Sequence, residues 1–169
     1  VVYHVEKAEE PKLNENSVDI ITVAQAIHWF DIDKFYEAAK KVLKKDGIIA
    51  VWAYAVPIVN KDIDPITQHF HDKIVGPYWP SEIKLLQQGY TTIPFPFREI
   101  EPPEFFIRKK YNLQDFLGHL LSWSATQRYI QQEEKNPLSK LKTELEPFWK
   151  DETEAKQVTW KIIMRVGKL

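Results

Sequence analysis

Two short apolar runs separated by one amphipathic helix constrain the fold more than anything else in the chain. Residues 17–24 (SVDIITVA) are a nearly continuous β-branched stretch, the composition of a parallel strand covered on both faces, and predict a central strand. Asp31 is suited to cap a helix, Asp33 lies in its first turn, and Phe35, Ala38, Ala39, Val42 and Leu43 recur at helical spacing. Lys40, Lys41, Lys44 and Lys45 load the end where cations suit the helix dipole, and Asp46 with Gly47 is the expected stop. Residues 48–54 (IIAVWAY) then predict a second buried strand. Strand, helix, strand in this order is one right-handed crossover of a parallel sheet, which places the chain in the α/β class.

The remaining text is read around that crossover. Residues 1–5 form a short β-rich run, and residues 6–16 are a polar loop containing Pro11. The chain starts on two valines without a polar lead-in and reads as a piece of something longer. Residues 56–103 are irregular and proline-rich, with helix-like pieces at 64–75 and 80–88. Such an insertion is expected over one end of the sheet. A strand is predicted at 104–111, an amphipathic helix from 112 or 114 to about 132, and another at 137–149. Residues 157–166 (QVTWKIIMRV) alternate apolar and charged residues as an edge or antiparallel strand does. With 169 residues, 44% of them hydrophobic, the expectation is one domain, with core 1–55 and 104–169 and a cap at about 56–103.

Composition removes several function classes. The 23 basic residues are interspersed with 24 acidic ones, so no stripe invites nucleic acid. There is no cysteine, which excludes disulfides and thiolate metal sites and makes a cytoplasmic location the default. No apolar run approaches the roughly 20 residues of a membrane-spanning helix.

Chemistry concentrates where the first buried strand ends. Gln25, Ala26, Ile27, His28 and Trp29 leave its carboxyl end, the place where open α/β sheets bind ligands. Buried glutamine, histidine and tryptophan need partners. Two readings remain open: a binding site, or Trp29 and Phe30 stapling the next helix beside a surface histidine.

The segment SVDIITVAQAIHWFDIDKFYEAAKKVLKKDGIIAVWAY resembles the fourth strand, following helix and fifth strand of class I S-adenosylmethionine-dependent methyltransferases of the type 11 group, near the enzymes similar to trans-aconitate methyltransferase. Weaker likenesses lie at 122–129 (SWSATQRY) and at VTWKIIMRVGKL, which looks like the family's antiparallel last strand. The resemblance implies a Rossmann-like sheet, mostly parallel with an antiparallel last strand, and S-adenosylmethionine as cofactor. It implies that Ala8 and Glu9, in VYHVEKAE, border the adenine, although alone they read as an acidic surface loop. It also implies that Gln25 and Ala26 line the methionine moiety, while His28 and Trp29 face the substrate side or pack beneath it.

The departure from the family is large. Its members carry a glycine-rich loop after the first strand and an acidic residue after the second. Here the glycines stand at 47, 76, 89, 118 and 167, too far apart for such a loop. The expectation is therefore a carboxyl-terminal two-thirds, lacking the first two strands and inactive by itself. The edge exposed by their loss would favour self-association.

The implied activity is methyl transfer to a small molecule. A carboxylate acceptor would need no general base, whereas a hydroxyl or amine could recruit His28 as the catalytic group. His69 and His71 are alternatives, but their spacing of two on a helix separates them and argues against a shared metal. Trp52, Tyr54, Tyr78, Trp79, Trp123 and Tyr129 could wall a substrate pocket. Trp52, in mid-strand, reads rather as core, and Tyr54, Trp79 and Trp123 are the better candidates. Arg128 could bind an anionic substrate group bidentately. The competing readings are another nucleotide-binding enzyme of Rossmann type and a degenerate, non-catalytic binding module.

Overall fold

The helix of the crossover begins where the sequence places it. Asp31 accepts a hydrogen bond from the Lys34 amide, and α1 (Ile32–Val42) buries Phe35, Tyr36, Ala38, Ala39 and Val42 on one face. It ends a turn earlier than expected. Leu43 is already extended and opens β2 (Leu43–Tyr54). Asp46, at φ 68°, takes the left-handed conformation rather than Gly47. Gly47 is needed for space instead, since a Cβ there would lie 2.9 Å from Leu43 and from the Lys44 carbonyl.

The computed structural model describes residues 1–169. The chain divides into two compact units, one of residues 1–54, 82–104 and 162–169, the other of 55–81 and 105–161. These boundaries do not coincide with the cap expected at about 56–103. Residues 82–104 belong with the first crossover, and 105–161 belong with 55–81.

In the first unit, β1 (Val18–Ala24) lies parallel to β2, with Ile20 opposite Ile48 and Ala24 opposite Trp52. β2 pairs antiparallel with the 162–168 portion of β5 (Lys156–Lys168). The short β3 (Arg98–Ile100) pairs antiparallel with the end of β5. The sheet is thus mixed, and the antiparallel last strand is as the sequence predicts. Three expectations are corrected. β1 pairs with β2 alone and is an edge strand, which leaves Ile20 60% exposed. Residues 1–5 form no strand. Trp52 is half-buried rather than core, because Ile49, Val51 and Ala53 hold the covered face of β2 and Trp52 lies on the other. The core of this unit gathers Val23, Ile27, Phe35, Leu43, Ile49 and Tyr90, with α3 (Ile83–Gln87) near the turn that follows β1.

In the second unit, β4 (Phe106–Tyr111) pairs antiparallel with the 156–161 portion of β5. α2 (Asp64–His69) runs into a wider turn at Phe70–Ile74. The predicted helix from 112 to 132 is two helices, α4 (Leu113–Leu121) and α5 (Ser124–Glu133). Trp123 is extended between them, and the Thr126 hydroxyl donates to the Leu120 carbonyl, which fixes the break. α6 (Leu138–Trp149) completes a core of Phe70, Leu113, Phe116, Leu120, Leu145 and Trp149.

Candidate functional site

β1 ends in a strained residue. Gln25 has φ 52°, a region that costs a non-glycine residue about 1–2 kcal/mol. Its amide donates to the Trp52 carbonyl at 2.9 Å, so the turn is pinned to β2 just as both strands finish. The Gln25 side-chain oxygen is buried and has no hydrogen-bond partner. An unpaired buried acceptor costs a further ~1–3 kcal/mol. Two costs on one residue at the carboxyl end of a strand make Gln25 a candidate for ligand binding.

The next residues form a single tight turn, Ile27–Trp29, closed by the Trp29 amide donating to the Ala26 carbonyl. Ile27 drops into the core and carries His28 with it, leaving His28 5% exposed. His28 is therefore not the surface histidine of the alternative reading. Its Nδ1 stands 2.9 Å from the Tyr90 hydroxyl. Burial lowers the His28 pKa below its ordinary value, and the opposing charge of Glu82 offsets this only in part. Burial also pushes the Tyr90 phenol up to about 12. Trp29 is exposed, with its ring 5.0 Å from that of His28. Tyr54 is exposed at the end of β2. The structure thus brings Gln25, Ala26, His28 and Trp29 into one turn.

Ala8 and Glu9 lie in a turn, with Ala8 against the core of the same unit. The Glu9 carboxylate accepts from the Asp31 amide at 2.9 Å, so it is tied to the start of α1.

The second unit holds the other sequence candidates. His71 is buried, and its ring lies 5.2 Å from Trp79 and 5.4 Å from Trp123, while Trp79 Nε1 donates to the His71 carbonyl. His71 Nδ1 is 2.6 Å from the Asp72 carboxylate. The Gln68 amide, donating to Asp72, is the largest cause holding that carboxyl below its usual range. His69 is exposed, so the two histidines do face differently. Arg128 is exposed on α5.

Sequence reasoning missed Tyr90 and Arg165. Arg165 Nη1 donates to the carbonyls of Tyr90 and Ile93, and its Nη2 pairs with Glu99. Tyr90 is itself left-handed, at φ 57°, and only 1% exposed. Nothing local in the sequence announces either role, since His28 and Tyr90 are 62 residues apart.

Comparison with known proteins matches residues 1–51 to the family model described as a methyltransferase domain. A Dictyostelium discoideum protein named as a methyltransferase is 32% identical over 148 residues, covering 86% of this chain and 56% of the relative. The chain therefore spans little more than half the length of that relative. A Saccharomyces cerevisiae protein named as an S-adenosylmethionine-dependent methyltransferase is 33% identical over 45 residues, 27% of this chain and 16% of its own length. Among solved structures, a type II methyltransferase from Anaeromyxobacter dehalogenans is 32% identical and superposes with a TM-score of 0.91, covering 99% of this chain and 71% of that one.

Proposed function

The chain belongs to the class I S-adenosylmethionine-dependent methyltransferase family, and from that premise we propose that the intact protein methylates a small-molecule carboxylate. The observation that carries the cofactor half of the reading is Gln25, strained and with a buried, unpaired amide oxygen where β1 ends; the carboxylate is taken from the resemblance to the trans-aconitate type enzymes. An unpaired acceptor suits an ammonium donor, such as the amino group of the cofactor's methionine moiety. Ala26, small and half-buried, is the next residue of the same turn. When bound, the cofactor supplies a methyl group made electrophilic by its sulfonium.

The chain's own residues then have positioning to do. Gln25 orients the amino-acid end, and Ala8 with Glu9 is assigned to the adenine side. His28, Trp29 and Tyr54, all of the first unit, are assigned to the acceptor. A carboxylate presents its own nucleophilic oxygen, so no side chain must remove a proton. Holding the two reactants in line and out of water supplies the acceleration. Gln25, with Ala8 and Glu9, would hold the cofactor, which would supply its methyl group to the ionised carboxylate and leave a neutral methyl ester and a neutral thioether.

The exposed edge of β1, with Ile20 open, favours pairing with further polypeptide, whether from the same chain or a second copy. A cytoplasmic setting agrees with the lack of cysteine.

The test is calorimetric titration of S-adenosylhomocysteine into the intact protein, followed by incubation of methyl-labelled S-adenosylmethionine with a panel of small carboxylic acids. Binding together with label that mild alkali releases as methanol supports the reading. Absence of binding, or label stable to alkali, rejects respectively the cofactor or the carboxylate.

A further inference from the structure

We propose that Tyr90 is a positioning residue that donates its hydroxyl proton to His28 Nδ1 and so fixes the imidazole as its Nε2–H tautomer. His28 then acts as a hydrogen-bond donor to the acceptor's anionic oxygen and not as a general base. The role in methyl transfer rests on the reading given above; the tautomer does not.

The geometry allows one bond between the two side chains, at 2.9 Å, and two ways of directing it. If His28 donated from Nδ1, the Tyr90 proton would have to go elsewhere, and this hydroxyl makes no other hydrogen bond in a residue that is 1% exposed. A buried donor would then be left unmade, at the usual ~1–3 kcal/mol. If Tyr90 donates, its proton is used, His28 Nδ1 is used, and only a phenol lone pair, a weak acceptor, goes without. The second arrangement wins. The groups facing His28 are compatible with it. Glu82, ahead of α3, favours the charged imidazole by its negative charge, but burial outweighs it, so the His28 pKa is lowered and the ring stays neutral. Tyr90 keeps its proton for the same reason.

The support behind Tyr90 is more than a single contact needs. Tyr90 is held left-handed at φ 57°, its amide donates to the Leu85 carbonyl, and its carbonyl accepts from Arg165. Arg165 also takes the Ile93 carbonyl, pairs with Glu99 and lies over the Phe95 ring at 4.4 Å. This clamp fixes the backbone on both sides of a strained tyrosine whose hydroxyl reaches the residue assigned to the reacting turn. Strain over-determined by its surroundings clusters at functional sites.

The experiment is nitrogen-15 correlation spectroscopy of the imidazoles in the intact protein at neutral pH, with His28→Gln assigning the resonance. The expected result is His28 with an unprotonated Nδ1 and a protonated Nε2. In Tyr90→Phe the Nδ1 resonance should lose its hydrogen-bond shift, and the His28 titration midpoint should rise because the neutral ring has lost its donor. A wild-type His28 protonated at Nδ1 overturns the proposal, as does a Tyr90→Phe protein whose His28 resonance and midpoint match the wild type. Should Tyr90→Phe fail to fold, the wild-type spectrum alone decides the tautomer. S-adenosylhomocysteine titrated into the same wild-type sample decides the other half. No heat there removes the methyl-transfer role of His28 whichever tautomer the spectrum gives.

Discussion

Arg165 on β5 holds Tyr90 by its backbone, with Nη1 2.9 Å from the Tyr90 carbonyl oxygen, across 75 residues of sequence. The same nitrogen reaches the Ile93 carbonyl at 2.6 Å, and the guanidinium is largely shielded. Charge-assisted bonds to two carbonyls stabilise by more than neutral ones, about 1.5–3 kcal/mol each at the upper end. Arg165→Met, which keeps the length and loses the donors, is expected to destabilise the protein by about 2–4 kcal/mol, read as a lower urea midpoint with unchanged slope. A midpoint equal to the wild type would mean that the clamp is cosmetic.

Two glycines should respond in opposite senses. At Gly167 on β5 a Cβ would stand 2.6 Å from both Phe95 and Phe97, so Gly167→Ala must push aromatic rings and is expected to cost about 1–3 kcal/mol. At Gly118, inside α4, a Cβ meets nothing within 4 Å, and Gly118→Ala is expected to gain about 0.5–1 kcal/mol. Thermal midpoints of the two variants should fall on either side of the wild type.

The start of α4 is a reciprocal cap. The Asn112 side chain accepts from the Asp115 amide at 2.9 Å, and the Asp115 carboxylate accepts from the Asn112 amide. Asn112→Ala is expected to lose about 1 kcal/mol, and Asn112→Asp to keep most of the stability. Equal losses in both variants would show that the cap does not hold the helix.

Part of each unit was legible where period agrees with burial. The spacing from Phe35 to Val42 reflects a covered face in the first unit and the alternation of Val158 and Trp160 one in the second, whereas the β-branched run at 18–24 buries only Val23. The illegible parts are those fixed by distant contacts. β1 reads as central from its composition, yet within these residues it pairs only with β2. The break between α4 and α5 depends on Thr126 reaching back to Leu120, which helical periodicity does not register. Gln25 and Tyr90 are left-handed without being glycine, so no local rule marks either as a turn. The turn holding Gln25, Ala26 and His28 was found from sequence, whereas the partner of His28 was not.

Stability should fall on mild acidification. Burial is the main cause lowering the His28 pKa, and it is also the main cause at His119, where Lys109 adds to it. Both begin from an ordinary value of 6.5. A depressed folded-state value means that the unfolded chain binds protons more readily, so stability is fully present above pH 6.5 and is lost as pH falls from there through the folded-state values. Urea midpoints taken on either side of that window should drop on the acid side, and the drop should shrink in His28→Gln. An unchanged drop in that variant would assign the effect to other groups.

Gln25 sets function against stability in a single residue. Gln25→Gly removes a left-handed side chain and an unpaired buried oxygen together, and the relief should exceed the extra chain entropy of glycine, giving a net gain of about 1–2 kcal/mol. The same change deletes the acceptor assigned to the cofactor's amino group, so affinity for S-adenosylhomocysteine in the intact protein should fall by about 3–10-fold, the worth of one hydrogen bond. Each half can fail alone. A loss of stability would mean that the side chain is satisfied by groups within the protein and that its conformation is not a stored cost. Unchanged affinity would mean that the orphaned oxygen serves something other than the cofactor, and the assignment of this turn would then pass to His28 and Trp29.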